Sequence, residues 1–430
     1  MKIEIKQTQD SNYNSIKAAI WLYFLLWIFE GALRKWILPG LATPLLIVRD
    51  PIAIFIILRA FYLKIDFINT FVILGAIFTL LGLAITLNFG HGNLFVGLYG
   101  ARIMLIHFPL ILIIGAVFKK NDILNMGYAM MGINIVLTLI IYFQFTSPQT
   151  AYINIGIGGE GSAGFDGAMG YFRPSGTFSF ISGLSAFYIL VSVFIFYFWL
   201  SKEHCSKILL IASTVALLIA LPLTVSRTAV LGVVLVGFFA FIGSSTSLKS
   251  IIRVIISVVV IAIIFISLQK TTTIFNLGTE VFMSRFDTAK GQAGGSIILR
   301  TIEGFTEPII DLLKEPFFIG NLGMGTNAGA QMLRGSTKFL ISEGELGRLA
   351  GEQGLILGGG LIVLRLVFAL SLFYNSMKLP NDLKLLPLTF CGSALLLITQ
   401  GQWAQPSILG CAVITSGLLL ASINKNITIK

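Results

Sequence analysis

The chain has 430 residues, 56% of them hydrophobic and 11% charged, with a mean hydropathy of +0.91. Soluble domains carry about 25% charged residues, so this composition excludes a water-soluble enzyme or binding module. The formal net charge of +11 needs no nucleic acid, because loop lysines of a membrane protein account for it through the positive-inside rule.

Apolar runs of about 17–25 residues, each long enough to cross a bilayer, recur along the whole chain. In order they predict about twelve spans: 17–33, 43–63, 68–88, 94–118, 122–145, 177–200, 207–224, 228–243, 251–268, 349–374, 384–401 and 405–423. The expected fold is therefore an all-α polytopic membrane protein. Span one is not read as a cleavable signal peptide, since Arg34 and Lys35 follow it without a small-residue cleavage pattern. If the N-terminus is cytoplasmic, one set of connections carries Lys64, Lys119, Lys120, Lys202, Lys207, Lys249, Arg253, Lys378 and Lys384, together with the tail Lys425 and Lys430. The opposite connections at 88–93 and 400–406 carry no positive charge. Both termini are accordingly predicted cytoplasmic.

Three regions follow: spans one to nine within 1–268, a large external loop at 269–348, and the last three spans within 349–430. A second external segment, 146–176, is glycine-rich. Loops of this length are usually functional or disordered. Within the larger one, residues 301–315 read as an amphipathic helix with Ile309, Ile310, Leu312 and Leu313 facing the membrane surface. The run 320–330 is glycine-rich but lacks the preceding strand and the Gly-Lys-Ser of a phosphate loop, and is read as a flexible turn. Cys391 and Cys411 lie in apolar runs and Cys205 in a charged loop, so no disulfide framework is expected. His91, His107 and His204 lack metal-ligand spacing, and neither metal nor cofactor is expected.

Charges inside the spans need a reason, because an arginine at mid-bilayer costs about 2.5–3.5 kcal/mol on insertion scales. Arg49, Asp50, Arg102, Arg173, Arg227 and Arg300 all fall toward the external side, whereas Arg59 and Arg365 fall toward the internal side, where snorkelling explains them. An external arginine excess opposes the positive-inside rule and points to an anionic ligand. Arginine's planar fork grips phosphate oxygens two at a time and keeps its charge. Internal pairing, Arg34 with Glu30 or Arg49 with Asp50, is the alternative for any single residue. At the opposite end of the large loop, Glu345, Arg348 and Glu352 stand on one helical stripe. Glu343 precedes them, where a carboxylate could take a proton from a sugar hydroxyl; an acid-decorated helix N-terminus is the plainer reading. Trp403, beside Gln400 and Gln402, is read as a belt aromatic or a sugar platform.

Taken in order, GALRKW (31–36), RPSGTFSFISGLSAF (173–187), LTVSRTAVLG (223–232), RTIEGFTEPIIDLLKEPFFIGNLGMG (300–325) and SEGELGRLAGEQGLILG (342–358) make the chain resemble the O-antigen ligase and polymerase superfamily. The resemblance covers most of the chain. It implies a metal-independent GT-C-type glycosyltransferase in the bacterial inner membrane, acting on undecaprenyl-diphosphate-linked glycans at the outer face, with a chain-length regulator as a possible partner. Arg173, Arg227 and Arg300 would then bind the diphosphate or position the glycan. The ligase branch has a histidine followed by asparagine about eleven residues before the glycine of its E-x-G turn. Counting back from Gly354, that place holds Glu343 and Gly344. The departure favours the polymerase branch, with Glu343 or Glu345 as base, Arg348 as a further contact, and Arg102, Arg49 and Glu352 as outlying site residues. Within the family the ligase, which transfers glycan to lipid A-core, is the alternative. Outside it, a lipid-glycan transporter is less favoured because no internal repeat is visible, and a peptidoglycan polymerase of the shape, elongation, division and sporulation family fits the ordered motifs less well.

Overall fold

The computed structural model describes residues 2–159, 165–244, 272–292 and 344–424, together with scattered positions between them that include 312–314 and 323–326. The described chain is mainly helical. In order it runs α1 Lys2–Ala32, which continues as a π-turn Leu33–Ile37; α2 Asp50–Tyr62; α3 Thr70–Asn88; and α4 Leu94–Arg102, joined through a π-turn Ile103–His107 to α5 Phe108–Val117. Then come α6 Lys120–Thr146, a two-stranded antiparallel hairpin of β1 Phe165–Ala168 and β2 Tyr171–Arg173, α7 Ile181–Leu200, α8 Lys207–Leu223 and α9 Arg227–Ser244. Helix α10 is Thr273–Gln292; α11 Glu345–Gln353 leads through a π-turn Gly354–Gly358 into α12 Gly359–Met377; α13 is Leu385–Thr399 and α14 Pro406–Ile423.

Among the described residues eight helical segments are long and apolar enough to cross a membrane, and α8 and α13 are shorter apolar helices. The protein is thus a helical, multi-pass membrane protein. The expected second span is shorter than the apolar run suggested. Pro44 and Pro51 break it into one 3₁₀ turn, Pro44–Ile47, and the 13-residue α2, which at 1.5 Å per residue reaches about 20 Å, against a hydrocarbon core of about 30 Å. The expected ninth span, 251–268, lies outside the described residues apart from Ser267.

Helix starts follow local chemistry. Asn69 accepts the Val72 amide at the head of α3, Asn93 accepts those of Phe95 and Val96 at α4, and Pro406 opens α14; each is a group that suits the orphan amides of a helix N-terminus. The helices pack around α13, which touches α7, α9, α12 and α14, while α14 lies on α5. Gly392 makes that centre possible, because a Cβ there would stand 2.6 Å from the Val236 backbone. Outward faces such as Ile73, Leu80 and Leu81 of α3 remain exposed, as lipid-facing residues should.

Helix direction alternates, so the chain has two distinct ends. At one, Lys17 pairs with Asp122 at 2.8 Å, Lys120 with Glu203, and Tyr128 bonds the His204 carbonyl. This lysine end matches the connections expected on the inside. At the other end, the 33–50 segment, residues 147–159 and 165–180, the α8–α9 junction and 398–406 come together, and here the arginines converge.

Candidate functional site

Three polar clusters occupy the arginine end. The first is buried between α1, α2 and the α4–α5 π-turn. Glu30 binds Arg34 at 3.2 Å and Arg49 at 3.4 Å. Asp50 binds Arg102 at 2.7 Å and His107 at 2.9 Å, and His107 in turn meets the Tyr23 hydroxyl at 2.9 Å. The side chain of Arg49 also bonds Tyr23 and the Pro406 carbonyl. Arg34 therefore has the partner anticipated for it, whereas Arg49 takes Glu30 and not its neighbour Asp50. Arg49 and Arg102 are enclosed by these partners and by the rings of Tyr23 and Tyr99, so neither presents a free fork to an external anion.

The second cluster corrects the expected geometry of the 342–360 stretch. Arg348 does sit between Glu345 and Glu352, at 2.9 and 2.5 Å, as the stripe required. The stripe, however, is buried inside the bundle and does not line an open vestibule; Glu345 and Glu352 are each 3% exposed or less. Arg365 joins it, reaching Glu345 at 2.6 Å. Twenty residues of straight helix would separate the two by about 30 Å, so α11 must fold back. Gly354, at φ +70°, makes the break, and a Cβ on Gly358 would lie 2.3 Å from the Leu349 carbonyl oxygen, which shows how closely the two arms touch. Arg365 consequently lies in the first turns of α12, bonding the Ile398 and Gly401 carbonyls at 2.6 and 2.9 Å. The snorkelling expectation fails because Arg365 is buried, 2% exposed, and its guanidinium is taken up by Glu345 and these carbonyls. Trp403 is likewise neither belt nor sugar platform: it is 1% exposed, under the Arg365 guanidinium at 4.0 Å.

Glu352 has a second task. Its Oε1 accepts the Thr326 amide and hydroxyl at 2.7 and 2.8 Å. Residues 323–326 are further held by Met324 N donating to Thr86 Oγ1 at 3.0 Å, and Gly325, at φ +92°, lies so close to α4 that a Cβ would stand 2.0 Å from the Val96 carbonyl oxygen. This part of the large loop is a moored plug and not a flexible turn. Beneath it a cavity of about 20 Å³ is lined by Thr79, Gln353, Glu345 and Arg365, enough for about one water. Leu312 is buried, near Gly359, while Ile310 and Leu313 stay exposed; Ile309 lies outside the described residues.

The third cluster differs in kind. Arg173 ends β2, Arg227 opens α9, and Arg285 comes from α10, which packs on α8 and β1. All three are partly exposed. Burial, with Arg285 and Arg227 behind it, pulls the Arg173 guanidinium down to about 10. Burial and Arg227 likewise lower Arg285. Among the described residues none of the three has a carboxylate partner, and Arg173 Nε is buried without any hydrogen bond. Arg285 donates to the Val225 carbonyl at 2.9 Å. Val225 is held at φ +47°, a costly conformation for a β-branched residue and one that clusters at functional sites. Ser226 caps α9 through the Ala229 amide at 3.3 Å, so Arg227 projects from a helix N-terminus, itself an anion-favouring position. An apolar groove of about 150 Å³ runs between α6, α8 and α10, lined by Leu139, Tyr142, Ile219, Leu223 and Phe275; it shares α8 and α10 with the cluster, although none of the three arginines lines it and Phe275 precedes Arg285 by about 15 Å of helix.

Of the residues expected from sequence, Arg173 and Arg227 are thus brought together with an unforeseen third, Arg285. Arg348, Glu345 and Glu352 form a separate saturated cluster, and Arg49 and Arg102 belong to the first. Glu343 and Arg300 lie outside the described residues. No protein-family model, curated protein or solved structure matches the chain.

Proposed function

We propose that the protein is a GT-C-type glycosyltransferase that polymerises polyprenyl-diphosphate-linked oligosaccharide repeat units at the outer face of a bacterial inner membrane. The observation that carries this reading is the third cluster: three partly exposed arginines without acidic partners among the described residues, with an apolar groove along the same helices, α8 and α10. Three like charges held together are mutually destabilising unless an anion joins them, and a diphosphate with a hydrocarbon tail satisfies both the charges and the groove.

In this scheme the growing chain on its lipid diphosphate is the donor. Arg173, Arg227 and Arg285 stabilise the negative charge that develops on the departing diphosphate, a role in which one well-placed donor is worth about 10²–10³-fold in rate. A second lipid-linked unit is the acceptor, and a base takes the proton of its attacking hydroxyl. Glu345 is a poor base where it stands, since both carboxylate oxygens face guanidiniums; the role falls to Glu343. A chain-length regulator would be its partner.

The test is deletion in the host, with complementation by Arg173→Ala or Arg227→Ala and gel separation of surface glycan and lipid-linked pool. Deletion should remove the long ladder and leave single repeat units at the surface, and neither variant should restore it while both insert normally. Long polymer accumulating on its carrier would make the protein a ligase. Normal chain lengths in both variants would remove the cluster from the mechanism.

A further inference from the structure

The GALRKW segment, which the transfer chemistry does not use, grips the segment that carries Arg173. Lys35 is 1% exposed, at the α1 π-turn. Its ammonium spends its three protons on the chain just beyond Arg173, at Ser175 Oγ (3.1 Å), Gly176 O (2.7 Å) and Phe178 O (3.0 Å). No carboxylate faces it among the described residues. A buried ammonium without a counter-ion is among the more expensive groups a membrane protein can hold, so those carbonyls need this donor badly or the turn would take another course. Arg34, one position earlier, bonds Ser179 Oγ at 3.1 Å. One turn before Lys35, Gly31 clears the space: a Cβ there would stand 2.2 Å from Phe178 C and Ser179 N. From the far side, Gln144 Oε1 accepts the Gly176 amide at 2.8 Å, and Gly176 itself holds φ +59°.

We infer that Lys35 is a positioning residue: with the 178–179 backbone seated against Gly31, it fixes the 175–178 turn and through it the placement of Arg173 in the arginine cluster. The inference rests on the diphosphate reading only for its consequence in binding. The turn geometry has its own readout.

The purified protein in nanodiscs would be studied as wild type, Lys35→Met, Lys35→Arg, Ser175→Ala, Arg173→Ala and the Lys35→Met/Arg173→Ala double variant. Hydrogen exchange would be followed by mass spectrometry, and affinity measured with farnesyl diphosphate as probe. Lys35→Met should speed exchange of amides in 171–178 at least tenfold with α7–α9 unchanged, and Lys35→Arg should restore part of the protection. Ser175→Ala, which removes one of the three acceptors without altering a membrane helix, should give a smaller change in the same window; it keeps the test open if Lys35→Met fails to fold. In binding, Lys35→Met should weaken the probe about tenfold and add less than twofold in the Arg173→Ala background. Unchanged exchange in 171–178 for Lys35→Met, or for Ser175→Ala where Lys35→Met does not fold, overturns the inference, as do independent, multiplying losses of affinity. If Arg173→Ala leaves probe affinity untouched, the diphosphate reading falls, and exchange alone decides the role of Lys35.

Discussion

Replacing Glu345 by glutamine separates a structural carboxylate from a catalytic one. Glu345 is 1% exposed at its side chain and lies between Arg348 and Arg365, themselves 5% and 3% exposed. Its Oε1 accepts from Arg348 Nη2 at 2.9 Å and Arg365 Nη1 at 2.6 Å, and its Oε2 from Arg348 Nε at 3.1 Å. Two carboxylates and two guanidiniums make the cluster neutral, and the substitution leaves it with one uncompensated positive charge. The new amide N–H also points a donor at a donor. Removing one partner of a buried ion pair costs about 3–5 kcal/mol, or roughly 10²–10⁴-fold in the unfolding equilibrium at about 1.4 kcal/mol per decade. Denaturant titration of the purified protein in mixed micelles would read the loss. Glu345→Leu combined with Arg365→Leu should recover much of it, because the Arg348–Glu352 pair then stands alone and neutral, although the Ile398 and Gly401 carbonyls lose their donor. A Glu345→Gln protein of unchanged stability that makes no polymer would refute the pairing argument and return Glu345 to the role of base.

Thr326→Val removes one of the two bonds to Glu352 Oε1 and should cost about 1–3 kcal/mol, seen as faster protease cleavage near 323–326 with the membrane helices intact. The arginine cluster predicts a pH dependence. Arg173 is held down to about 10 in the free protein; a bound anion favours its charged form and raises it again. Affinity for farnesyl diphosphate should therefore hold between about pH 8 and 9, above the range in which a phosphate group takes up its last proton, and fall as pH rises through 10, a sign that calorimetry across that range would check.

The helical, membrane-spanning character of the chain was legible, because a bilayer forces apolar length onto the sequence; the count of twelve was not, since eight described helical segments are long enough to cross. Where that reading failed, glycine and proline were responsible. Pro44 and Pro51 shorten α2, and the glycines of EQGLILGGG mark the fold-back that carries α11 beside Arg365; those breaker signals were present and could have been weighted more. The pairing of charges was not legible beyond one turn of helix. Arg34 with Glu30 and Arg348 with its two glutamates are local and were anticipated, whereas Arg102 finds Asp50 from 52 residues away and Arg365 finds Glu345 from 20. Arg285 gave no signal, since VFMSRFD is an ordinary amphipathic stretch whose place beside Arg173 is set only by packing.

The buried cations share a further habit that explains why most of them are not ligand sites. In a bilayer every backbone carbonyl needs a partner, and broken or short helices leave carbonyls without one. Lys35 bonds Gly176 and Phe178 carbonyls, Arg34 that of Ala42, and Arg49 that of Pro406. Arg102 bonds Tyr99 O ahead of its π-turn, and Arg365 the carbonyls of Ile398 and Gly401 at the end of α13. Each stands where a helix stops, shortens or bulges, and most are neutralised by a carboxylate close by. They are caps for an arginine end that is built from interrupted helices. Arg173, Arg227 and Arg285 fall outside this pattern: among the described residues one carbonyl contact serves all three and no carboxylate answers them. The arginines gathered at this end are therefore two populations, one holding the backbone and one left over, and it is the second that a ligand must explain.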